Sequence, residues 1–326
     1  MSAGPGASST GGTHVADVVS GPTAERTGSR DERTGSTAER TGSQEAIREF
    51  LATRRARLRP VDVGLADQGS TRRVPGLRRE EVAELAGVSP GYYTRLERGR
   101  LDGASDSVLE SLATALRLDD VEREYLFDLA RGPVRGPVLR HSVTRLPEAI
   151  GHVVGRMDSP TIVVNASRDL VGANLLGRAV YAPVLEAGRG SFASFTFLAD
   201  EAAEFYEDLE GVCATTAAVM RLDLARQPHN TDLRERVEDL LGRSERFRAA
   251  WARHDVHEHG TGTKVYRHPV VGRLELGYDV YTLASAPGLS MSVFRAEPGS
   301  VWDERLKELA GWARGTGLAD IDLPIQ

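Results

Sequence analysis

The sequence predicts a multidomain protein in which an all-α domain is followed by an α+β domain built on an antiparallel sheet. Three observations support this fold class. Apolar side chains recur at helical spacing between residues 44 and 131. Residues 132–143 open with GPVRGP, which continues no helix and is typical of a linker. Strand-like segments then lie at both ends of the remaining chain, with helical segments between them, which favours one sheet with inserted helices.

Length and composition set the first limits on function. The chain has 326 residues, 40% of them apolar and 27% charged, which is typical of a globular protein with more than one domain. The net charge of −6 excludes a polycation, so any nucleic-acid surface must be local. No apolar run approaches the roughly 18 residues of a membrane span, and the first residues lack the pattern of a secretory signal. We therefore expect a cytoplasmic protein without membrane contact.

The first 43 residues are predicted to be a disordered, low-complexity tail. The segments TAERTGS, RDERTGS and TAERTGS follow one another between residues 23 and 43. This seven-residue repeat carries no apolar a and d positions, so it is not a coiled-coil heptad. A segment with so few apolar residues cannot offset its ordering entropy by burial.

The helical domain, residues 44–131, contains a pattern typical of a helix-turn-helix. Residues 79–98 read REEVAELAGVSPGYYTRLER. Ala83 is the small residue where two helices approach closely, Gly87 is placed where the turn requires positive φ, and Ser89 is a good N-cap for the second helix. The expected buried positions are Val82, Ala86, Val88, Tyr93 and Leu96.

This block resembles the Xre (lambda-repressor-like) helix-turn-helix family. The resemblance rests on GLRREEVAELAGVS at residues 76–89 and YYTRLERGR at residues 92–100. It implies that the second helix enters the major groove of double-stranded DNA, with its N-terminal residues foremost. The residues that would face DNA are Ser89, Pro90, Gly91, Tyr92, Thr94 and Arg95. Because such domains usually read paired half-sites, we also expect a homodimer.

Arginines are concentrated where phosphates would lie. Residues 48–79 carry a net charge of +6, whereas residues 101–131 carry −5. We assign Arg79, Arg72 and Arg73 to phosphates, because phosphate contacts position a protein without specifying sequence. Base readout would depend on Arg95, which can pair bidentately with guanine, together with Thr94 and Tyr92. Glu97 is interpreted as structural, pairing with a neighbouring arginine.

Residues 44–314 as a whole are similar to the MmyB-type regulators, in which an Xre-like domain precedes a ligand-binding domain of PAS-like fold, here residues 144–314. The motifs are RPVDVGL at 59–65, FRAAWARHDV at 247–256, HPVVGRLEL at 268–276 and AEPGS at 296–300. The resemblance implies a transcription regulator that senses a small, fatty-acid-like apolar molecule. The chain departs from the family pattern at Ser191 and at residues 207–209. Residues 315–326 are predicted to be a C-terminal tail.

We expect the ligand to occupy an apolar pocket between the sheet and the helices inserted in it. The candidate lining residues are large or central groups from distant segments: Val163, Ala173, Asn174, Phe197, Trp251, Tyr278, Tyr281 and Phe294. The same residues could instead form a solid core, and Asn174 could serve only as a helix N-cap. In that case the second domain would be a dimerisation or protein-docking module without a ligand.

No catalytic, metal or cofactor site is predicted. His254, His257, His259 and His268 lie close together in sequence, but His254 ends a predicted helix and His268 precedes a proline. The single cysteine, Cys213, cannot form an internal disulfide and is interpreted as a small buried apolar residue. Nucleophile-elbow, P-loop and dinucleotide-binding patterns are absent from the sequence. We therefore expect a regulator and not an enzyme.

Overall fold

The computed structural model describes residues 31–65, 76–131 and 138–318. Outside this part of the chain lie residues 1–30 of the predicted disordered tail, the predicted phosphate contacts Arg72 and Arg73, residues 132–137 of the predicted linker and the last eight residues. Residues from Thr41 onward form one compact unit, which holds both predicted domains.

The helical domain consists of five α-helices and a short 3-10 helix within the described residues. They are α1 (Asp31–Arg57), the 3-10 helix (Pro60–Val63), α2 (Arg79–Leu85), α3 (Pro90–Glu97), α4 (Asp106–Ala115) and α5 (Asp120–Arg131). Apolar residues from all five α-helices form one core, and its largest fully buried members are Phe50, Tyr93, Leu51, Leu77, Leu96 and Leu109. The apolar residues that recur at helical spacing in the sequence are thus the ones that form this core.

The first helix begins earlier than the sequence predicted. We expected disorder up to residue 43, whereas α1 starts at Asp31, so residues 31–43 are helical. Seven of these thirteen residues are Thr, Gly or Ser, so helix propensity does not explain the extension. Once Ile47 and Phe50 anchor the helix in the core, each further residue adds one hydrogen bond at little cost.

The second domain is built on a five-stranded antiparallel sheet, as predicted. Its strands are β1 (Thr161–Asn165), β2 (Leu170–Ala173), β3 (Thr261–His268), β4 (Gly272–Thr282) and β5 (Leu289–Arg295). The strand order across the sheet is β2-β1-β5-β4-β3. The first two strands are therefore joined to the last three through the sequence-distant pair β1 and β5, in which Val163 lies opposite Met291.

Nine helices of the described residues accompany the sheet. They are α6 (Glu148–Gly155), α7 (Leu175–Val180), α8 (Ala182–Glu186), α9 (Phe192–Leu198), α10 (Ala202–Phe205), α11 (Leu209–Arg226), α12 (Thr231–Arg243), α13 (Glu245–Trp251) and α14 (Val301–Gly315). One face of the sheet packs Ile162, Leu276 and Phe294 against residues of α7, α9 and α14. The opposite face packs Val163 and Val171 against α6. None of the helices in the described ranges is long and apolar enough to cross a membrane.

The two domains share buried apolar contacts. Leu222 of α11 and Val256, in the segment after α13, belong to the core of the helical domain and are 2% and 8% exposed. Leu318, which we placed in a C-terminal tail, is also buried and packs in the core of the second domain. The second domain thus contributes apolar residues to the core of the helical domain in addition to forming its own core.

Candidate functional site

The turn between α2 and α3 has the geometry that the sequence pattern predicted. It comprises residues 86–89, and Gly87 has a φ of +65°, in the left-handed region that favours glycine. The Ser89 hydroxyl accepts a hydrogen bond from the Tyr92 backbone N–H at 3.2 Å and so caps α3. Val82 and Ala83 on α2 and Tyr93 and Leu96 on α3 are fully buried between the helices. These two helices therefore form a helix-turn-helix.

A buried carboxylate fastens α3 to the rest of the helical domain. Glu97 is 2% exposed, accepts a hydrogen bond from Arg55 Nε at 2.8 Å and receives a second one from Arg79 Nε. Arg55 also donates to the Leu77 carbonyl at 2.7 Å, which ties α1 to the segment before α2. Glu97 thus pairs with arginines, as the sequence argument expected. Arg79, which we assigned to a phosphate, is half-exposed and engaged in this pair.

The N-terminal half of α3 forms an accessible surface. Ser89, Pro90, Gly91 and Arg95 are exposed, while Tyr92 and Thr94 are half-buried. The Arg95 guanidinium lies 5.0 Å from the centroid of the Tyr92 ring, a cation–π contact that holds the arginine without using its hydrogen-bond donors. The Thr94 hydroxyl donates to the Pro90 carbonyl at 2.8 Å, which leaves its oxygen lone pairs free to accept.

Two further arginines extend this surface, and the sequence argument did not single them out. Arg98 and Arg100 follow α3, are exposed and have no ion pair among the described residues. Both belong to the YYTRLERGR motif, and their position three and five residues after Arg95 could have identified them as part of the same surface. They add positive charge beside α3, where a phosphate backbone could lie.

A pocket of about 360 Å³ lies at the outer edge of β3, beside the first turns of α11. Tyr206 forms a β-bridge with Tyr266, and the Glu207 backbone N–H donates to the Val265 carbonyl, so this edge strand is covered next to the pocket. The pocket is lined by Tyr206, Glu207, Asp208, Gly211, Val212, Thr215, Thr216, His259, Thr263, Lys264, Val265 and Tyr278. The lining is mixed: seven of the twelve residues are polar or charged, and Tyr206, Val212, Val265 and Tyr278 supply its apolar part.

Lys264 and His259 dominate the electrostatics of the pocket. Burial and the nearby charge of Arg168 lower the pKa of Lys264 to about 8. The Lys264 ammonium lies 5.1 Å from the centroid of the Tyr278 ring and has no ion pair within the described part of the chain. Burial and the charge of Lys264 lower the pKa of His259 to about 2, so its ring is neutral. The buried His259 Nδ1 has no hydrogen-bond partner. The pocket therefore offers an unpaired cation and an unused ring nitrogen.

Comparison with known protein families agrees with both parts of this architecture. The family described as the MmyB-like transcription regulator ligand binding domain matches residues 146–309, half of the chain. The chain belongs to the MmyB-like transcription regulators. A helix-turn-helix domain family matches residues 46–126, which cover the α2–α3 unit. No curated protein matches the chain. The protein is therefore a DNA-binding transcription regulator with a ligand-binding domain.

Of the ligand-contacting residues predicted from the sequence, only Tyr278 lines the pocket of the MmyB-like regulator. Phe294 is in the core on the helix-covered face of the sheet, and Ala173 packs against that core. Phe197 and Trp251 pack with α11, α12 and α13, and Val163 packs with α6 on the opposite face. Large apolar residues from distant segments thus interdigitate in three separate clusters instead of surrounding one space.

The expectation that Tyr281 points inward is wrong. Tyr281 is 51% exposed, whereas Tyr278 is buried. Successive side chains of a strand point to opposite faces, so two residues three positions apart in β4 cannot share a face. Asn174, another predicted contact, caps α7: its Oδ1 accepts from the backbone N–H groups of Gly177 and Thr161.

The interface between the two domains is rich in arginine. From α1, Arg54 donates to the His254 carbonyl at 2.9 Å, and Arg57 pairs with Asp255 at 2.5 Å. From α11, Arg226 contacts Glu124 and Asp128 of α5 at 3.3 and 3.9 Å, and Glu258 at 2.6 Å. The segment from His254 to His259 therefore runs from the helical domain directly to the pocket. Within the described residues, no group of three or more His, Cys, Asp or Glu side chains could hold a metal ion.

Proposed function

We propose that this transcription regulator reads the major groove with α3 and senses a small molecule that carries an acidic group in the pocket beside β3. The observation that carries the DNA-reading part is the exposed Arg95, held against Tyr92 on the first turns of a capped α3. A side chain presented in this way keeps its hydrogen-bond donors available for a base edge. A second copy of the protein would bind the second half-site of a two-fold operator, so the protein would act as a homodimer on DNA.

We expect Arg95→Ala to weaken binding to a preferred duplex by about 1–3 kcal/mol and to relax the preference at one base pair. Binding to random DNA should change little, because non-specific affinity comes mainly from phosphate contacts. The measurement is a fluorescence titration of both duplexes, the preferred one having been selected from random sequence by the wild-type protein. Arg243→Ala, which removes an exposed arginine paired with Asp239 on α12, is the control. An equal loss on both duplexes would refute the readout role.

The ligand part of the proposal rests on the unpaired Lys264. The pocket lining contains two acids. Glu207 pairs with Arg273 at 3.1 Å, and Asp208 caps α11 by accepting a hydrogen bond from the Gly211 N–H at 2.9 Å. Neither acid forms an ion pair with Lys264 among the described residues, so the ammonium is left for a ligand. Tyr206, Val212 and Val265 can cover a short apolar body. The volume is near the lower end of the range of about 300–1,000 Å³ that is usual for ligand sites, which favours a short-chain carboxylic acid.

We expect Lys264→Met to stabilise the free protein and to abolish its response to acids. A folded-state pKa below the unfolded value means that the unfolded chain binds the proton better, so Lys264 destabilises the fold at neutral pH. That cost disappears as the pH rises from about 8 towards 10.5. Methionine should therefore raise the free energy of unfolding at pH 7 by up to about 3 kcal/mol. Thermal unfolding with octanoate, octanol and octylamine measures both effects.

The chain contains a matched control for this experiment, because Lys307 is its other lysine. Lys307 is exposed on α14 and pairs with Asp303 and Glu304. Lys307→Met should leave stability and the octanoate response close to wild type. Stabilisation of the wild type by octylamine but not by octanoate would contradict the acid-binding assignment.

A docking module is the second candidate, favoured by the exposed part of the sheet at the end of β4. Tyr281 is half-exposed beside the partly buried Met291, its partner across β4 and β5. If no small acid or alcohol stabilises the protein, this face becomes the better candidate for the second domain's role.

A further inference from the structure

We infer that occupation of the pocket is transmitted to the DNA-binding domain by α11 together with the segment His254–His259, with Arg226 joining the two to α5. This inference rests on the proposed function, since it assigns a regulatory route to the same pocket. It goes beyond that function by naming the residues that connect the ligand to DNA affinity.

Helix α11 touches both sites. Its first turns contribute Gly211, Val212, Thr215 and Thr216 to the pocket lining. Further along, Leu222 is buried in the core of the helical domain, and Ala225 packs against the same core. At 1.5 Å per residue, Thr216 and Leu222 are separated by only about 9 Å along a continuous helix. A displacement of the first turns therefore reaches the helical domain without passing through a loop.

The segment after α13 makes a second, parallel connection. Its residue His259 lines the pocket, the neighbouring Glu258 pairs with Arg226, and Val256 is buried in the core of the helical domain. The His254 carbonyl accepts from Arg54 of α1. Six consecutive residues thus span from the pocket to α1 of the DNA-binding domain and, through Arg226, to α5.

Arg226 is where the two connections meet. Its guanidinium is shared by Glu258 at 2.6 Å and by Glu124 and Asp128 of α5 at 3.3 and 3.9 Å. Asp223, one turn before it on α11, pairs with Arg168 at 2.6 Å, and the charge of Arg168 also acts on Lys264 and His259. If a ligand moves His259, then Glu258 must move too, and the contacts of Arg226 with α5 are redistributed. DNA affinity changes to the extent that ligand and DNA prefer different arrangements.

The test uses a tethered occupant, so that it does not depend on the affinity of any free ligand. In a Cys213→Ala background, Thr215→Cys places a single thiol at a partly exposed position of the pocket lining, on α11. Octyl methanethiosulfonate fills the pocket, and methyl methanethiosulfonate modifies the same thiol without filling it. We expect the octyl adduct to change the dissociation constant for the selected duplex by about fivefold or more relative to the methyl adduct.

In Glu258→Gln and Arg226→Met backgrounds, the octyl effect should fall below about twofold. Arg243→Met, which removes an exposed arginine from its ion pair with Asp239 on α12, should preserve it. Glu258 is partly exposed, so Glu258→Gln keeps the test valid if Arg226→Met fails to fold. An unchanged octyl effect in both variants, or no octyl effect in the parent, would overturn the inference.

The same data separate this inference from the proposed ligand class. An octyl effect that depends on Arg226, without stabilisation by free octanoate, would leave the route intact and refute the acid ligand. Stabilisation by octanoate with no effect of either occupant on DNA affinity would refute the route alone.

Discussion

Replacing Glu97 by alanine should lower the free energy of unfolding of the regulator's DNA-binding domain by about 3–5 kcal/mol. Glu97 is 2% exposed and accepts hydrogen bonds from both Arg55 and Arg79. Its removal leaves the Arg55 guanidinium, 15% exposed, without a counter-charge in a poorly solvated site. Breaking one side of a buried ion pair costs more than the pair itself contributes, because the remaining charge stays desolvated.

Urea unfolding of the full chain, followed by tyrosine fluorescence and circular dichroism, measures this loss. Glu80→Ala is the matched control, since Glu80 is an exposed acid on α2. It should change stability by less than about 0.5 kcal/mol. Arg79→Ala should have an intermediate effect, because Arg79 is 54% exposed and Arg55 still neutralises the carboxylate. If Glu97→Ala lowers the free energy of unfolding by less than about 1 kcal/mol, the Glu97 carboxylate does not hold α3 to the rest of the domain.

The helix-turn-helix could be derived from the sequence because its determinants are local. Gly87 is required by the turn, Ser89 caps the helix that follows it, and the apolar spacing of Tyr93 and Leu96 fixes which face of α3 is buried. All of these lie within 20 consecutive residues. Glu97 was also interpreted correctly, although its partner Arg55 is on α1, where only the tertiary structure could identify it.

The pocket could not be derived in the same way, because its walls come from segments whose contacts are not local. The sequence shows that Phe197, Trp251 and Phe294 are large and apolar, but not that they belong to two separate cores. Lys264 was the missed indication. It is one of two lysines among 41 basic residues, and its alternation with Tyr266 and His268 in β3 places it on the helix-covered face. A lysine at an inward-facing strand position is unusual and indicates a site.

Acidification should destabilise the regulator strongly between pH 6.5 and 4, through two histidines that are buried in the neutral form. Burial and the charge of Arg221 lower the pKa of His254 to about 4, and burial and the charge of Lys264 lower that of His259 to about 2. Because the unfolded chain takes up these protons near pH 6.5, it binds more protons than the folded protein throughout this range. Stability therefore falls as the pH falls, by about 3 kcal/mol for each histidine between pH 7 and pH 4.

Variants at neighbouring positions isolate this effect from the carboxylates, which begin to take up protons in the same pH range. His259→Gln keeps a polar group of similar size but has no proton to bind, so its stability should fall by about 3 kcal/mol less than that of the wild type over the same range. His257→Gln is the matched control, because His257 is exposed and lies two residues away. If the free energy of unfolding falls equally with pH in the wild type and in His259→Gln, His259 takes up its proton in the folded protein as well. The claim that its ring is neutral in the pocket would then be refuted. Since His254 packs against α1 and His259 against the pocket, loss of DNA binding with retention of the sheet near pH 5 would identify the domain interface as the first part to open.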